Sequence, residues 1–269
     1  MRNSAPGPDQ VHPAMLKNIT SQQLKCLTHF LNIIWKSKRI PHDWKKAHIL
    51  PFKKPGKNKL EAGNYRPIAL TNVICKLMER ILVKRLQKYL VNKGLLDRYQ
   101  SGFTPNKSTS DNLHRLTQEI IDGFINYEYT ICVFFDVEKA FDRISHAAIT
   151  SKLQTLGIKG NMYAFLEDFL KNRSFQIRLG NHFSSSKHQE TGIPQGSVVS
   201  PLLFILALTN INECLPRNVN YSLFADDLAI YSRGDNIQKL SNSLQCSITK
   251  LEKWYKTRDL KFSAAKTKA

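Results

Sequence analysis

Three aspartates stand where an apolar β-strand would otherwise continue. Asp136 closes the apolar run 131–135, and Asp226 and Asp227 interrupt a second apolar run, 223–230. A carboxylate left uncompensated beside a buried sheet costs roughly several kcal/mol, because the charged group loses its hydration. We therefore expect positive charge next to all three side chains.

Three explanations of these aspartates are open. Lysine side chains could neutralise the aspartates, or Asp226 and Asp227 could form a polar turn at the tip of a hairpin, where aspartate is common. A cluster of carboxylate oxygens also suits Mg²⁺, which binds one or two carboxylates, retained waters and substrate phosphates. Two such ions, about 4 Å apart, activate an attacking hydroxyl and stabilise a leaving phosphate. The metal interpretation predicts nucleotidyl-transfer chemistry.

The charge distribution indicates a polyanionic partner. The chain carries 40 Lys and Arg against 21 Asp and Glu, and residues 1–100 alone hold 20 basic and 5 acidic side chains. A phosphate backbone is the expected partner, because each neutralised phosphate releases counterions. An acidic membrane surface is the weaker alternative: the chain has no polybasic tail beside a lipid-inserting helix, and its longest apolar stretch, 198–208, is too short to span a bilayer. We expect an intracellular protein, with nucleus and cytoplasm both compatible.

Hydrophobic spacing predicts an α+β fold. The 42% hydrophobic content is enough for a globular core. Apolar residues three and four apart predict helices, whereas short apolar runs between turn residues predict strands. The predicted helices are 13–35, 68–91, one ending near 124 and capped by Ser108 or Thr109, 145–172, 200–214 and 236–256. The predicted strands are 130–137, a hairpin within 175–189, two strands meeting at 225–227 and a last short strand at 260–262. The segment 49–68 is predicted to be a hairpin or a mobile loop.

Six short segments together resemble a known family. In chain order, 135–142, 192–197 and 224–227 resemble the central motifs of reverse transcriptases, and 7–9, 64–68 and 100–103 resemble those of non-LTR (LINE-type) retrotransposons. The resemblance covers essentially the whole chain. It implies an α+β right-hand polymerase with fingers over 1–125 and, over 126–269, a palm built on a ferredoxin-like antiparallel sheet.

The resemblance also implies a reaction and its metal ligands. The expected reaction is attack of a DNA primer 3′-hydroxyl on the α-phosphate of a dNTP, directed by an RNA template and assisted by two Mg²⁺ ions, with Mn²⁺ as a substitute. Asp136 and Asp226 match the metal-carrying aspartates, and Asp227 matches the supporting one. The backbone carbonyl of Val137 matches a further ligand.

Two more features match residues around the incoming nucleotide. Phe141 stands where the family places a ring beneath the sugar, and a ring there would clash with a 2′-hydroxyl; the alternative is an ordinary core phenylalanine. Gln195 and Gly196 match the turn that contacts the nucleotide and the template, although Pro194 and Gly196 could instead only mark the boundary of the helix that follows.

Basic residues complete the implied site. Arg66, together with Lys53 or Lys54, matches the fingers residues that clamp the triphosphate, where arginine offers a two-pronged donor and lysine a point charge. Lys266 matches the lysine that protonates the departing pyrophosphate. Each of these side chains could alternatively be a solvated surface charge.

The chain also departs from the family pattern. Phe224 stands at a position that is usually tyrosine, so a hydroxyl is lost while the ring remains. The sequence stops at Ala269, before the primer-gripping motif and the thumb, which puts activity of this chain by itself in question. The rival interpretations are a truncated, non-catalytic nucleic-acid-binding remnant and an intron-maturase type of reverse transcriptase. Nothing in the sequence indicates the oligomeric state.

Overall fold

Helices and strands are interspersed along the chain, as the α+β prediction requires, and the computed structural model describes residues 5–269. The helices are α1 Pro13–Lys17, α2 Ser21–Ser37, α3 Val73–Asn92, α4 Thr109–Ile125, α5 Ala140–Arg143, α6 His146–Thr155, α7 Gly160–Leu170, α8 Ser200–Ala207 and α9 Ile237–Lys256. The strands are β1 Lys46–Lys53, β2 Tyr65–Thr71, β3 Tyr129–Phe135, β4 Arg173–Leu179, β5 His182–Phe183, β6 Lys187–Gln189, β7 Asn220–Phe224 and β8 Asp227–Gly234.

The chain forms two compact units that alternate along the sequence. The first unit contains the described part of Met1–Tyr89 together with Thr150–Ser200, and the second contains Leu90–Ile149 together with Pro201–Ala269. The division into fingers over 1–125 and palm over 126–269 stays a prediction. The first four residues of the predicted fingers lie outside the described part of the chain.

A mixed sheet organises the first unit. Its strand order is β2-β1-β4-β5, and β6 also pairs with β4. β1 and β2 form an antiparallel hairpin that runs from the pair Ala47 and Thr71 to the pair Lys53 and Tyr65, so the hairpin alternative for this segment is correct. β4 lies parallel to β1, and its hairpin with β5 turns at Gly180, whose φ of +61° glycine adopts readily.

The helical layer of the first unit carries most of its apolar core. Phe165, Leu166 and Phe169 of α7 are fully buried, and α2 contributes Leu31 and Ile34. Close by, the buried ammonium of Lys45 lies 2.8 Å from the Asp168 carboxylate, whose second oxygen accepts a hydrogen bond from the Ile40 amide at 2.7 Å. Losing either partner would leave an unpaired charge in a poorly hydrated place, so this pair fixes the start of the sheet relative to α7.

An antiparallel sheet organises the second unit. Its strand order is β3-β8-β7. On the free edge of β3, the segment after α9 makes two further antiparallel bridges, Val137 with Phe262 and Phe134 with Lys268. The resulting spatial order, with the terminal segment beside β3 and β8 between β3 and β7, is that of a ferredoxin-like sheet. Only single bridges form where the sequence predicts a last strand.

One face of this sheet is packed and the other is partly open. Val133, Leu228, Ile230 and Leu223 alternate along the strands toward the buried face. α9 covers this unit with one apolar stripe, whose buried members are Leu240, Leu244, Leu251 and Tyr255. α8 is the most apolar helix but has eight residues, and within residues 5–269 no helix is both long and apolar enough to cross a bilayer.

Several predicted helices are wrong in extent. The segment 13–35 forms two helices, because Thr20 begins α2 with a capping box that includes Gln23. The helix expected from residue 68 begins at Val73, since 65–71 pairs as β2. The segment 145–172 divides between Gly157, which follows the end of α6 and has a φ of +73°, and Gly160, the first residue of α7, which has a φ of +63°. The segment 200–214 ends as α8 and resumes as a short 3-10 turn, Ile211–Cys214.

Candidate active site

Two of the three aspartates lie at the tight turn between β7 and β8. Phe224 pairs with Asp227, so only Ala225 and Asp226 form the loop. Ala225 adopts a φ of +56°, a left-handed conformation that an alanine side chain disfavours. The hairpin predicted at 225–227 is therefore correct, and its carboxylates project from the end of the sheet.

Asp136 reaches the same end of the sheet from β3. Phe135 pairs with Leu228, so the next position on each strand brings Asp136 opposite Asp227. The main-chain carbonyl of Asp136 accepts a hydrogen bond from the Ser263 amide at 2.8 Å, which anchors this position to the terminal segment. The structure thus brings the three predicted aspartates together, and Val137 follows as a buried residue.

Lys266 lies beside this group. Its ammonium is 2.9 Å from Oδ2 of Asp136, and both side chains are partly open to solvent. The turn that presents Lys266 is closed by its amide, which donates to the Ser263 carbonyl at 3.1 Å. A lysine therefore neutralises one of the three aspartates. This is what the lysine alternative to a metal site predicted for Asp136.

The electrostatics of the turn favour a cation. Burial raises the pKa of Asp227, and the negative charges of Asp226 and Asp136 raise it further. A carboxylate whose pKa is raised by its neighbours is destabilised when ionised, and a nearby cation removes that penalty. Lys266 contacts Asp136, and the charges of Asp226 and Asp136 still raise the pKa of Asp227.

The donor set fits divalent metal ions that are completed by other ligands. Within residues 5–269 no three His, Cys, Asp or Glu side chains form a ready-made metal cluster. Mg²⁺ sites in enzymes that handle phosphates usually rely on one or two carboxylates, with waters and substrate oxygens supplying the rest. Asp136, Asp226 and Asp227 offer oxygen donors of this kind at one end of the sheet.

Phe141 also lies in the second unit, within a stack of rings. It follows Asp136 by five residues, in the short helix α5. Its ring lies parallel to that of the buried Phe204, with centroids 4.6 Å apart and an interplanar angle of 14°. Phe103 meets the same ring edge-on at 6.3 Å. The ring of Phe141 is half-buried and oriented by packing from two neighbours.

The predicted nucleotide-contacting turn belongs to the first unit. The Ala69 amide of β2 donates to the Gln195 carbonyl at 2.7 Å. Gly196 has a φ of +137°, and a Cβ there would lie 2.3 Å from the Ala69 carbonyl oxygen. Glycine is therefore required at this position by both conformation and space.

A buried glutamate that the sequence analysis missed holds the same turn. Glu79 of α3 accepts hydrogen bonds from the Ser197 hydroxyl at 2.5 Å and from the amides of Val198 and Val199 at 2.6 and 3.0 Å. These groups lie at the start of α8, where a negative charge is favourable. Its sequence signal was an acid on the helix face of two apolar residues, Cys75 four positions before it and Leu82 three positions after it, both of which are buried.

The three predicted basic residues lie on the β1–β2 hairpin of the first unit. Arg66 is exposed and pairs across the hairpin with Phe52. Lys53 is exposed at the end of β1. The ammonium of Lys54 donates to the Gly63 carbonyl at 3.0 Å, which closes the hairpin loop. This contact gives Lys54 a structural role and leaves Lys53 as the more accessible of the two lysines.

The family model and the curated relatives that match this chain all belong to the reverse transcriptases. The family described as "Reverse transcriptase (RNA-dependent DNA polymerase)" matches residues 52–269. A probable RNA-directed DNA polymerase from transposon BS of Drosophila melanogaster is 33% identical over 98% of this chain and 30% of its own length. The RNA-directed DNA polymerase from mobile element jockey of the same organism is 28% identical over 97% of this chain and 29% of its own length. The chain thus spans about 30% of these relatives.

Solved structures agree at the level of the fold. Apo telomerase from Candida tropicalis, truncated from its C-terminal domain, matches with a TM-score of 0.61 and 12% identity over 88% of this chain and 53% of that one. Telomerase from Candida albicans, in complex with a fragment of telomeric RNA, matches with a TM-score of 0.60 and 10% identity over 87% and 44% of the two chains. The predicted resemblance to reverse transcriptases of non-LTR retrotransposons and the α+β fingers-and-palm fold are confirmed.

Proposed function

This chain belongs to the reverse transcriptase (RNA-dependent DNA polymerase) family, and from that we propose that it extends a DNA primer with deoxynucleotides under the direction of an RNA template. The observation that carries the proposal is the meeting of Asp136, Asp226 and Asp227 at one end of an antiparallel sheet. These are the residues that the family motifs single out. The two Drosophila relatives, both named as RNA-directed DNA polymerases of mobile elements, support the same assignment.

The three aspartates would hold two Mg²⁺ ions, together with the backbone carbonyl of Val137; Mn²⁺ offers the same charge and oxygen preference. When bound, such ions activate the attacking hydroxyl and stabilise the leaving oxygen. The chain's own contribution is placement. The β3–β8 register sets Asp136 against Asp227, and the tight turn presents Asp226 beside them. Phosphoryl transfer depends mostly on such positioning and charge stabilisation.

Lys266 would act on the leaving group. In the absence of a divalent ion its ammonium neutralises Asp136. A cation shared by the aspartates would weaken that contact and release the ammonium, which is already partly open to solvent. We assign Lys266 the transfer of a proton to the departing pyrophosphate oxygen.

Phe141 would select the sugar. Its ring is packed in parallel against Phe204 and edge-on against Phe103, so it cannot swing aside without breaking two ring contacts. A ring fixed in this way excludes a 2′-hydroxyl from the space it borders. The assigned substrate class is therefore deoxynucleoside triphosphates.

The family motifs also assign nucleotide contacts to residues of the first unit. Arg66 would bind the triphosphate, with Lys53 or Lys54 as a second cation; the cross-strand register puts Arg66 on the face of Phe52 and Lys53 on the opposite face. The backbone at Gln195 and Gly196, held by Ala69, would approach the nucleotide and the template closely because Gly196 has no side chain.

One face of the first unit's sheet would bind RNA. Cross-strand pairing puts Phe52 beside Arg66 and Arg178 beside Phe183, and the two-residue repeat puts His48 on the same face. Phe52 and Phe183 are about half exposed, and the guanidinium of Arg178 lies 5.7 Å from the Phe183 ring centroid. Exposed rings next to cations suit unpaired bases and their phosphates. We call His48, Phe52, Arg178 and Phe183 the aromatic face.

Primer extension on an RNA template tests the proposed function. Asp226→Asn should abolish Mg²⁺-dependent extension while leaving the far-ultraviolet circular dichroism unchanged. Asp235→Asn, just beyond the other end of β8, is the matched control and should extend like the unchanged chain. Extension by Asp226→Asn at the control's rate would remove the metal assignment.

A further inference from the structure

The turn that carries Asp226 is held by a segment from elsewhere in the chain, residues 99–102. The side chain of Gln100 is 2% exposed, and its Nε2 donates to the Ala225 carbonyl at 3.2 Å. Its Oε1 accepts from the amides of Ala225 and Gly102 at 2.9 and 2.8 Å. In the reverse orientation of the Gln100 amide, its NH2 group would face the N–H groups of Ala225 and Gly102, and its oxygen would face the Ala225 carbonyl. One side chain therefore binds both polar backbone atoms of the first turn residue.

The segment itself is fixed along the outer edge of β7. The Ser101 amide donates to the Leu223 carbonyl at 2.8 Å, and the Leu223 amide donates to the Tyr99 carbonyl at 3.0 Å. The side-chain Nδ2 of Asn112 donates to the same Leu223 carbonyl at 2.8 Å. The ammonium of Lys107 also lies against three main-chain carbonyls of residues 97–100. Gln100 thus acts from an anchored backbone.

Contact between the segment and the turn is also steric. A Cβ added to Gly102 would lie 2.2 Å from the Ala225 amide nitrogen, so only glycine permits this approach. Ala225 adopts a left-handed conformation that its own side chain disfavours. The shape of the turn therefore depends on groups outside β7 and β8, and Gln100 provides the specific ones.

We propose that Gln100 is a positioning residue that sets the direction of the Asp226 carboxylate. The Ala225 carbonyl, which Gln100 binds, shares a rigid peptide plane with the Asp226 amide. Holding that plane in place also holds the backbone nitrogen and Cα of Asp226, from which its carboxylate side chain extends. This inference rests on the proposed function of Asp226, and it adds to that function a residue that touches neither substrate nor metal.

The test compares Gln100→Met with Gln118→Met. Methionine keeps the length of the side chain but neither donates nor accepts as an amide does. Gln118 is the matched control, because its exposed side-chain amide on α4 donates to Asp122 of the same helix at 2.7 Å. Gln100→Met should lower kcat for RNA-templated extension about tenfold and raise the Mg²⁺ concentration for half-maximal rate. The KM for primer–template should stay unchanged, and Gln118→Met should change none of these values.

Two further measurements separate positioning from general stability. Without metal, amide hydrogen exchange at Ala225 should become about tenfold faster in Gln100→Met, while exchange in β3 stays the same. Gly102→Ala, which pushes on the same turn, should reproduce the loss of kcat. Unchanged kcat and metal requirement in a folded Gln100→Met chain would overturn the proposal, as would loss of exchange protection throughout the sheet or failure to fold.

The outcome also distinguishes this proposal from the proposed function. If Asp226→Asn extends a primer normally, the metal assignment fails, and if the unchanged chain extends none, the proposed function fails, whatever Gln100 does. If Asp226→Asn is inactive and Gln100→Met is unaltered, the metal assignment stands and the positioning role of Gln100 is wrong.

Discussion

The ammonium of Lys266 lies 2.9 Å from Oδ2 of Asp136, so the candidate general acid and a candidate metal ligand are in direct contact. Both side chains are more than a third exposed, and solvent screens their attraction. Such pairs contribute about 0–1 kcal/mol to stability. The contact between Lys266 and Asp136 is therefore weak enough for a divalent ion to displace. We expect Lys266 to matter for catalysis more than for stability.

Replacing this lysine should separate activity from stability. We expect Lys266→Ala to change the free energy of unfolding by less than about 1 kcal/mol. Single-turnover extension should fall about 10²-fold, within the range attributed to a general acid. Lys268→Ala, two residues further on and held to β3 through its backbone, is the control. Equal extension rates for the two variants would remove Lys266 from the mechanism.

The ring of Phe141 should determine which sugar is accepted. In Phe141→Ala the space bordered by Phe204 and Phe103 opens, so a 2′-hydroxyl can enter. Discrimination of dNTP over the matching NTP, measured as a ratio of kcat/KM, should fall about 10- to 200-fold, the range for one well-placed apolar contact. Phe124→Ala, on an exposed part of α4, should leave the ratio unchanged. An unchanged ratio in Phe141→Ala would make this residue a packing residue only.

The raised pKa of Asp227 gives stability a defined pH dependence. Its cause is burial, followed by the charges of Asp226 and Asp136. Because the folded-state pKa is above its ordinary value of 3.8, protonation favours the folded chain, and that contribution is lost as pH rises through the raised folded value.

Asp227→Asn removes this charge and should therefore stabilise the metal-free chain at pH 7. The gain, measured by urea unfolding, should disappear as pH falls toward 3.8. Adding Mg²⁺ should stabilise the unchanged chain more than the variant, because a cation compensates the ionised carboxylate. A destabilised Asp227→Asn chain at pH 7 without metal would contradict the proposed electrostatics.

The aromatic face should bind unpaired RNA through two separable contributions. Phe183→Ala should weaken binding by about 1–3 kcal/mol through lost stacking, with the salt dependence unchanged. Arg178→Gln should instead reduce the slope of log affinity against log salt by about one phosphate contact. Tyr127→Ala, at a 95% exposed ring of the second unit, is the control. Binding that is insensitive to both changes would place the RNA elsewhere.

The sequence predicted the second unit well, because its strongest signals are local. Acids within apolar runs identified the end of the sheet, and the β7–β8 hairpin and α9 follow turn and cap residues such as Asn236. The predicted start of α3 at residue 68 was wrong, because Ile68 and Leu70 continue the helical spacing of the apolar residues that follow them. Their pairing with β1 decides otherwise, and Asn72 caps the first amides of α3.

The supporting residues of the site could not be predicted, since their partners are distant in sequence. Gln100 acts on Ala225, 125 positions away, and Glu79 acts on Ser197, 118 positions away. Periodicity reports which face of an element is apolar and says nothing of such pairings. The roles assigned to Phe141, Gln195, Arg66 and Lys266 stay predictions.

Direct measurement of cation binding tests the central claim, that the three aspartates hold two divalent ions. The chain would be titrated with Mn²⁺ and followed by electron paramagnetic resonance, in the presence of an RNA template, a primer lacking its 3′-hydroxyl and the matching dNTP. We expect two bound ions for the unchanged chain and for Asp235→Asn, and loss of at least one ion in Asp136→Asn and Asp226→Asn. Two ions bound with equal affinity by all four chains would contradict the account.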